Sequence, residues 1–479
     1  MRVLIFHGYL LRGTGSNVYN ARLAEALLGL GHEVHLFCQD RHPERYAPAT
    51  AAADWDGGEL RARALREAAP GVPSCTLYRP DIGGLLPVYV QDSYEGIEAR
   101  TFAACSDEEV ADYVQANVAA VREVVERVRP DVALANHLVM GPAILARALG
   151  GSVPYAVKVH GSALEYTVKP EPERFLPYAR EGVAQARTVL VGSTHTAQSL
   201  WRALEDPSLP GRTRLGPPGV DVERFAPCEP TQARAEVAAL AQRLRADAES
   251  QGGKAVGAGG DAFARDEIEI AEALERLLAE EGELVCFVGK LIAAKGVDLL
   301  LDAWPAVLER RPQARLVLIG FGAERERMQA KAAALGGSVI FTGRLEHDEL
   351  SSVLALCEAL VMPSTFPEAF GMVAVEAAAC GVLPISAAHS GLAEVSEQLA
   401  QAVPSGVRDL LSFPIDGDAP AAIARRLLAW LRTDEQLRER TRDSLVSTVR
   451  ERWSWQGVAR GVIAAALGTS DAPLARTVG

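Results

Sequence analysis

Paired cysteines are missing from this chain. The seven thiols (Cys38, Cys75, Cys105, Cys228, Cys286, Cys357 and Cys380) are odd in number, and none stands in C-x-x-C spacing. That excludes a disulfide framework and sets the expectation of a reducing, cytoplasmic setting. Long apolar runs are missing too. The longest uncharged stretches, 132–146 and 377–393, are broken by Asn, His, Ser, Gly or Pro and fall short of the ~20 apolar residues a spanning helix needs. The opening Met1-Arg2-Val3-Leu4-Ile5-Phe6 reads as a strand rather than a leader. Positive charge is in deficit, with 49 Lys+Arg against 62 Asp+Glu and a net charge of −13, which makes a poor general binder of nucleic acid. Any anionic ligand must be met by a few local cations and helix N-termini. Neither a P-loop nor a His-Glu-x-x-His zinc pattern occurs.

What is present is a globular composition, 48% hydrophobic over 479 residues, enough for two or three domains with real cores. Val3–Phe6, a Gly-containing loop, a helical pattern through Tyr19, Leu23, Leu27 and Leu30, and Val34–Cys38 follow in order. Strand-like runs recur at Val132–Ala135, Tyr155–Val159 and Val189–Val191, each followed by helical spacing. A second set runs through Leu284–Val288, Leu316–Ile319, Val339–Phe341, Leu360–Met362 and Leu383–Ile385, and the tail 420–467 reads as helices only. Strands alternating with helices imply parallel sheets covered on both faces, here two facing Rossmann-like domains with a cleft between them. Between the two sets, 229–283 carries 13 acidic and 6 basic residues, with Ala-rich helical patterns flanking a Gly-rich run, 252–260. It reads as a flexible, solvated insertion.

Motifs in the first half are weak. Gly13-Thr14-Gly15-Ser16-Asn17-Val18 resembles a dinucleotide loop but lacks its third glycine and lies far beyond the strand. With Asp40 after the second strand, an NAD-dependent oxidoreductase stays open at this step. Asp54-Trp55-Asp56 reads as a loop rather than a metal-holding Asp-x-Asp, and 61–66 as a solvated helix face.

The second half speaks more clearly. Val288-Gly289-Lys290 to Lys295-Gly296 is a strand running into a loop with two lysines five apart, then a helix. Two cations beside a helix N-terminus suit a diphosphate. Glu368 and Glu376, eight apart, bracket Phe370-Gly371-Met372. Pro367 and Gly371 put Glu368 in a loop and Glu376 in the helix that follows. A carboxylate accepts from two vicinal hydroxyls at once, a common way to hold a sugar, and an unpartnered Glu376 in so apolar a helix would be costly.

These pieces resemble the retaining nucleotide-sugar glycosyltransferases of family 4, which have the α/β, two-domain GT-B fold. The likeness runs through Gly13–Val18, 30–34, Val159-His160-Gly161, 217–221, Gly289–Gly296, 341–344, Glu368-x7-Glu376 and 379–384. It implies an acceptor-binding domain over 1–215, joined by a C-terminal helix at 453–479. A donor-binding domain would span 216–452 and contain the insertion. Lys290 and Lys295 would hold the donor diphosphate and Glu376 the ribose. Glu368 would hold the sugar, Phe370, Gly371 and Met372 would offer backbone donors, and Arg344 would lie by the base. Gly15 would approach the phosphate and His160 the transferred sugar, with His137 either facing the acceptor or sitting as a core histidine. Arg is usual where Lys290 stands, and a glycine pair where Ser390-Gly391 stands.

The function this implies is retaining, metal-independent transfer from a UDP-sugar co-substrate, with no other cofactor, to a small-molecule, saccharide or lipid hydroxyl, with membrane contact at most peripheral. A non-catalytic sugar-binding relative is the other alternative.

Overall fold

The computed structural model describes residues 1–67, 71–91, 94, 96–250, 265–279 and 281–469. The chain forms two compact units, Met1–Gly219 with Trp455–Gly479, and Val220–Ser454.

The first unit is built on a nine-stranded sheet. Its strands are β1 (Arg2–Phe6), β2 (Glu33–Phe37), β3 (Ala51–Asp56), β4 (Glu59–Ala64) and β5 (Cys75–Arg79), then β8 (Val132–Asn136), β9 (Tyr155–Val159), β10 (Thr188–Val191) and β11 (Thr213–Leu215). A small separate pair, β6 (Leu85–Val88) and β7 (Glu98–Thr101), completes the unit's strands among the described residues. The order is β11-β10-β9-β8-β1-β2-β5-β3-β4, parallel except for β3–β4. Central strands such as β1, β8 and β9 are buried along almost their whole length, as expected where helices cover both faces of a parallel sheet. Chain order reverses between β1 and β8, paired Val3↔Val132 to Phe6↔Ala135. In open α/β sheets the crevice at such a reversal, off the strands' carboxyl ends, is where ligands bind. The helix Trp455–Leu467 packs on the helix Gly15–Gly29, burying Trp455, Ala459, Val462, Ala465 and Ala466.

Two readings of this unit are corrected. Asp54-Trp55-Asp56 is strand, not loop: Gly57 and Gly58 both take positive φ (60° and 83°) and close a two-residue hairpin. Asp54 is then paired with Arg79 at 2.7 Å, and Trp55 Nε1 donates to Glu123 at 2.8 Å. Residues 61–64 form the partner strand β4, not a helix face.

The second unit holds a six-stranded parallel sheet. Its strands are β12 (Leu284–Val288), β13 (Arg315–Ile319), β14 (Val339–Gly343), β15 (Ala359–Met362), β16 (Leu383–Ala387) and β17 (Ser412–Phe413), in the order β14-β13-β12-β15-β16-β17. Here the reversal falls between β12 and β15. Phe287, Trp304 and Trp430 lie at the centre of its core.

The insertion is corrected as well. Its flanks are two packed helices, Pro230–Ser250 and Glu267–Ala279. Val237, Leu240 and Leu244 of the first, and Ile270, Leu274 and Leu277 of the second, are buried in the core. Apolar side chains at three- and four-residue spacing make a helix face, and that outweighs the surplus of acid on the outer side. The Gly-rich run 252–260 lies outside the described residues. No helix among the described residues is long and apolar enough to cross a membrane.

Candidate active site

In the second unit, the loops that follow β12 and β15 meet at the sheet's reversal. Lys290 leaves β12 with its ammonium 5.8 Å from the centre of the Phe321 ring. Lys295 ends a short turn, Ala293–Lys295, and Gly296 follows in the left-handed region, φ 67°. A side chain there is barred twice over, because a Cβ would also stand 1.9 Å from the Pro363 carbonyl oxygen. That contact, with Thr365 N donating to Ala294 O at 3.0 Å, seats one loop on the other. The Lys295 ammonium is paired with Glu368.

Glu368 lies in the loop before the helix Met372–Ala379, as its flanking Pro and Gly predict. Ser364 Oγ donates to its carboxylate at 2.7 Å, and its backbone N–H donates to Ser390 Oγ at 3.0 Å. Burial alone pushes the Glu368 carboxyl up. The Lys295 ammonium, the Ser364 hydroxyl and nearby His389 outweigh that and hold it below the usual carboxylate range. Ser390 adopts φ 53°, while Gly391 N donates to Glu368 O at 2.9 Å. Phe370 is buried against Trp453, with ring centres 5.9 Å apart. Gly371 is the N-cap of the helix and contributes no side-chain cap. The first amides of a helix have no partner within it, and such an N-terminus favours negative charge.

Glu376 sits inside this helix, flanked by fully buried Ala374, Val375, Ala377 and Ala378. Its carboxylate accepts from His347 Nε2 at 2.7 Å. The sequence reading has no partner for Glu376 without a ligand, so His347 corrects it. Arg344 is buried and paired with Glu346 at 2.8 Å, just before the turn that carries His347. Lys290, Lys295, Glu368, Phe370, Gly371, Met372, Glu376 and Arg344 thus all belong to this unit, most of them on the two loops that interlock at the β12–β15 reversal.

Gly15, His137 and His160 belong to the first unit. Gly15 opens its helix behind Thr14, which makes no side-chain cap. Three imidazoles gather where β1, β8 and β9 end: His7, His137 and His160. The rings of His137 and His160 lie 4.9 Å apart, and those of His7 and His137 5.8 Å.

Neighbouring amides fix the tautomers. Asn136 Nδ2 donates to Phe6 O at 3.2 Å, so its Oδ1 faces His160 Nε2 at 2.8 Å. Only an Nε2–H can bridge that gap, and the Nδ1 lone pair of His160 is left as an acceptor. His7 Nε2 faces two acceptors, Leu10 O and Asn17 Oδ1, at 2.9 and 3.0 Å, while Nδ1 faces the Asn20 amide at 3.0 Å. Burial pushes His7 down to about 4, against the opposing pull of Asn17 and Leu10. His137 is held well below the usual imidazole range by burial and then by His7. His160 is held there by burial, then His137, Lys158 and His7. All three are neutral at pH 7.

His137 adopts φ 68°, is fully buried against Tyr89, and has no hydrogen-bond partner for either ring nitrogen among the described residues. Beneath the cluster lies Lys158, fully buried, its ammonium 2.5 Å from Gly216 O and 5.4 Å from the centre of the Tyr19 ring.

Asp40 is already committed. Its carboxylate accepts from Leu11 N at 3.3 Å and His42 N at 3.0 Å, so it organises the loop after β1. Sequence reasoning missed His7, Asn136, Lys158 and His347. For Lys158, a cation inside the otherwise apolar run Tyr155–Val159 was the available signal.

Comparison with known proteins agrees with the geometry. Residues 14–208 match the glycosyl transferase 4-like domain, and residues 270–443 match glycosyl transferases group 1. A D-inositol 3-phosphate glycosyltransferase of Frankia alni is 29% identical over 466 residues, 94% of this chain and 93% of that protein. Among solved structures, a sucrose-phosphate synthase from Thermosynechococcus elongatus superposes with TM-score 0.60 at 20% identity, covering 96% of each chain. Anabaena HepE, solved with UDP and glucose, gives TM-score 0.59 at 16% identity, covering 98% of this chain and 100% of that one. With one glycosyltransferase domain in each half and GT-B enzymes as its structural neighbours, the chain belongs to the family 4-like glycosyltransferases of GT-B fold.

Proposed function

We propose that this glycosyltransferase moves a sugar from a UDP-sugar to a hydroxyl acceptor with retention at the anomeric carbon. The carrying observation is the interlocked pair of loops at the β12–β15 reversal, which places Lys295 on Glu368 beside the N-terminus of the helix that holds Glu376. In this reading Glu376 takes the ribose hydroxyls and Glu368 the sugar hydroxyls. Arg344 lies by the base, and the amides near Phe370, Gly371 and Met372 face anionic oxygen. Gly15 approaches the phosphate.

As the glycosidic C–O bond breaks, negative charge grows on the departing diphosphate. Lys290, Lys295 and the helix N-terminus stabilise that charge, which is where preorganised electrostatics lowers a barrier most. The two ammonium groups do a cation's work, so we propose transfer without a metal. The acceptor's proton passes to a donor phosphate oxygen as the new C–O bond forms. His160, neutral and with its Nδ1 lone pair free, accepts a hydrogen bond from the transferred sugar. His137 offers its ring nitrogens to the acceptor.

The acceptor class is a small polyol, a saccharide or a lipid headgroup. Inositol 3-phosphate, named for the full-length relative, is the first to test. The reaction is placed in the reducing cytoplasm, with any membrane contact peripheral.

The test is a thermal-shift panel of UDP-, GDP- and ADP-sugars, followed by acceptor screening and NMR of the product's anomeric carbon. UDP-sugars should stabilise the protein most, and the product should keep the donor's configuration. Stabilisation by GDP-sugars alone would reassign the donor, and loss of configuration would refute retention.

A further inference from the structure

Among the described residues, the short turn His347–Glu349 is held by ion pairs and hydrogen bonds from several directions. Glu349 is buried and takes Arg265 at 2.7 Å and Arg243 at 3.2 Å, both from the stretch read at first as a solvated insertion. Glu349 also accepts from Glu346 N at 2.9 Å, closing a capping box. Asp348 is paired with Arg224 at 2.6 Å, and the His347 ring lies 5.0 Å from that of Phe225. The turn meets the helix Met372–Ala379 through His347, whose Nε2–H reaches Glu376 at 2.7 Å. Its Nδ1 is buried with no hydrogen-bond partner among the described residues, so within them the proton donated from Nε2 is the ring's one hydrogen bond.

We propose that His347 is a positioning residue for the nucleotide-sugar donor: it fixes one Glu376 oxygen so that the other meets the ribose, and Arg265, just before the helix Glu267–Ala279, sets its place through Glu349. The inference rests on the donor reading given above. It assigns a role to the packed pair of helices Pro230–Ser250 and Glu267–Ala279 and to Arg265 beside them, which neither family resemblance nor composition supplies. A carboxylate on an apolar helix has freedom to turn about its terminal bonds. A charge-assisted hydrogen bond removes that freedom before the ligand arrives, so less is lost on binding.

Calorimetric titration of the full chain with UDP, GDP and ADP, alongside melting curves, tests the assignment. Glu376→Ala should abolish binding of whichever nucleotide the unaltered protein prefers. If it does not, the donor reading itself fails. His347→Ala should weaken binding about 10-fold, the usual worth of a hydrogen bond to a charged group. His347→Gln carries an N–H where the imidazole has Nε2–H and should recover most of that loss, while His347→Phe should recover none. Arg265→Met should weaken binding several-fold alone and add nothing to His347→Ala, because both act through one contact. Unchanged binding in His347→Ala while Glu376→Ala loses it would overturn the inference. Equal loss in His347→Ala and His347→Gln would overturn it too, since the donated proton would then not be what matters.

Discussion

Lys158 offers a sharp quantitative test of the first unit. It is a cation with its side chain wholly inside, touching a carbonyl oxygen and a ring face, with no carboxylate paired to it among the described residues. Burial pushes its ammonium down to about 7. The unfolded chain would titrate this lysine near 10.4, so between about pH 7 and pH 10 the unfolded state binds the extra proton. Stability of the unit must therefore rise with pH across that window and level off below it, where both states are charged. At full effect the difference is about 5 kcal/mol, and integrating between pH 7 and pH 9 gives about 2 kcal/mol. For a unit of this size that corresponds to a melting shift of roughly 4–8 °C.

Lys158→Met keeps the length and removes the charge. Calorimetric scans at half-unit steps of pH should show the unit's endotherm climbing between pH 7 and 9 in the unaltered protein. In the variant that climb should be absent. The absolute offset at pH 7 also carries the lost partner of the Gly216 carbonyl, so the slope is the readout. Parallel pH profiles for the two proteins would refute the argument, because the ammonium would then be no costlier inside than out.

Three further outcomes follow from the second unit. Lys295→Met strands the Glu368 carboxylate, whose side chain is only 21% exposed, and should cost about 2 kcal/mol, below the 3–5 typical of fully buried pairs. Glu368 is held below its ordinary value, so the stability it lends is present at neutral pH and lost as pH falls through the acid range. The gap between Lys295→Met and the unaltered protein, read by hydrogen exchange in β12 peptides, should accordingly close toward pH 3, and Lys295→Met/Glu368→Gln should regain most of the loss. Gly296→Ala puts a Cβ 1.9 Å from Pro363 O and should separate the two loops, reducing donor binding at least 10-fold where Gly461→Ala, with open space around it, changes nothing. Gly391→Ala meets Phe370 N at 2.6 Å and should displace the Glu368 loop, raising the donor KM and lowering the unit's melting temperature by several degrees.

Some of this was legible in the sequence for a physical reason. β12 and β15 are short apolar runs bounded by turn residues, and a parallel strand buried on both faces has little freedom to look otherwise. Glu368 and Glu376 stood out because their neighbours are apolar, so that each carboxylate demanded an explanation. The hairpin β3–β4 was hidden because Ala51-Ala52-Ala53 carries none of the β-branched signal that marks a strand. It is made by its two glycines and by pairing with β5, and sheet membership is a tertiary fact.

His347 was hidden for the opposite reason. Glu346, Asp348 and Glu349 surround it, and a cluster of charge in sequence reads as solvated surface. In the fold each of those three charges is met by an arginine: Glu346 by its near neighbour Arg344, and Asp348 and Glu349 by Arg224 and Arg265 from elsewhere in the chain. Once they are neutralised the histidine between them can turn inward. The stretch 229–283 that carries the helices Pro230–Ser250 and Glu267–Ala279 obeys the same logic. Its acidic residues dominate the count, yet Arg243 and Arg265, two of its few cations, point at Glu349, and its apolar residues at helical spacing face the core. Net charge over a segment measures its solvent side. What decides whether the segment reaches a site is the minority of residues facing the other way, and those become visible only when the partner that neutralises them, far off in sequence, is known.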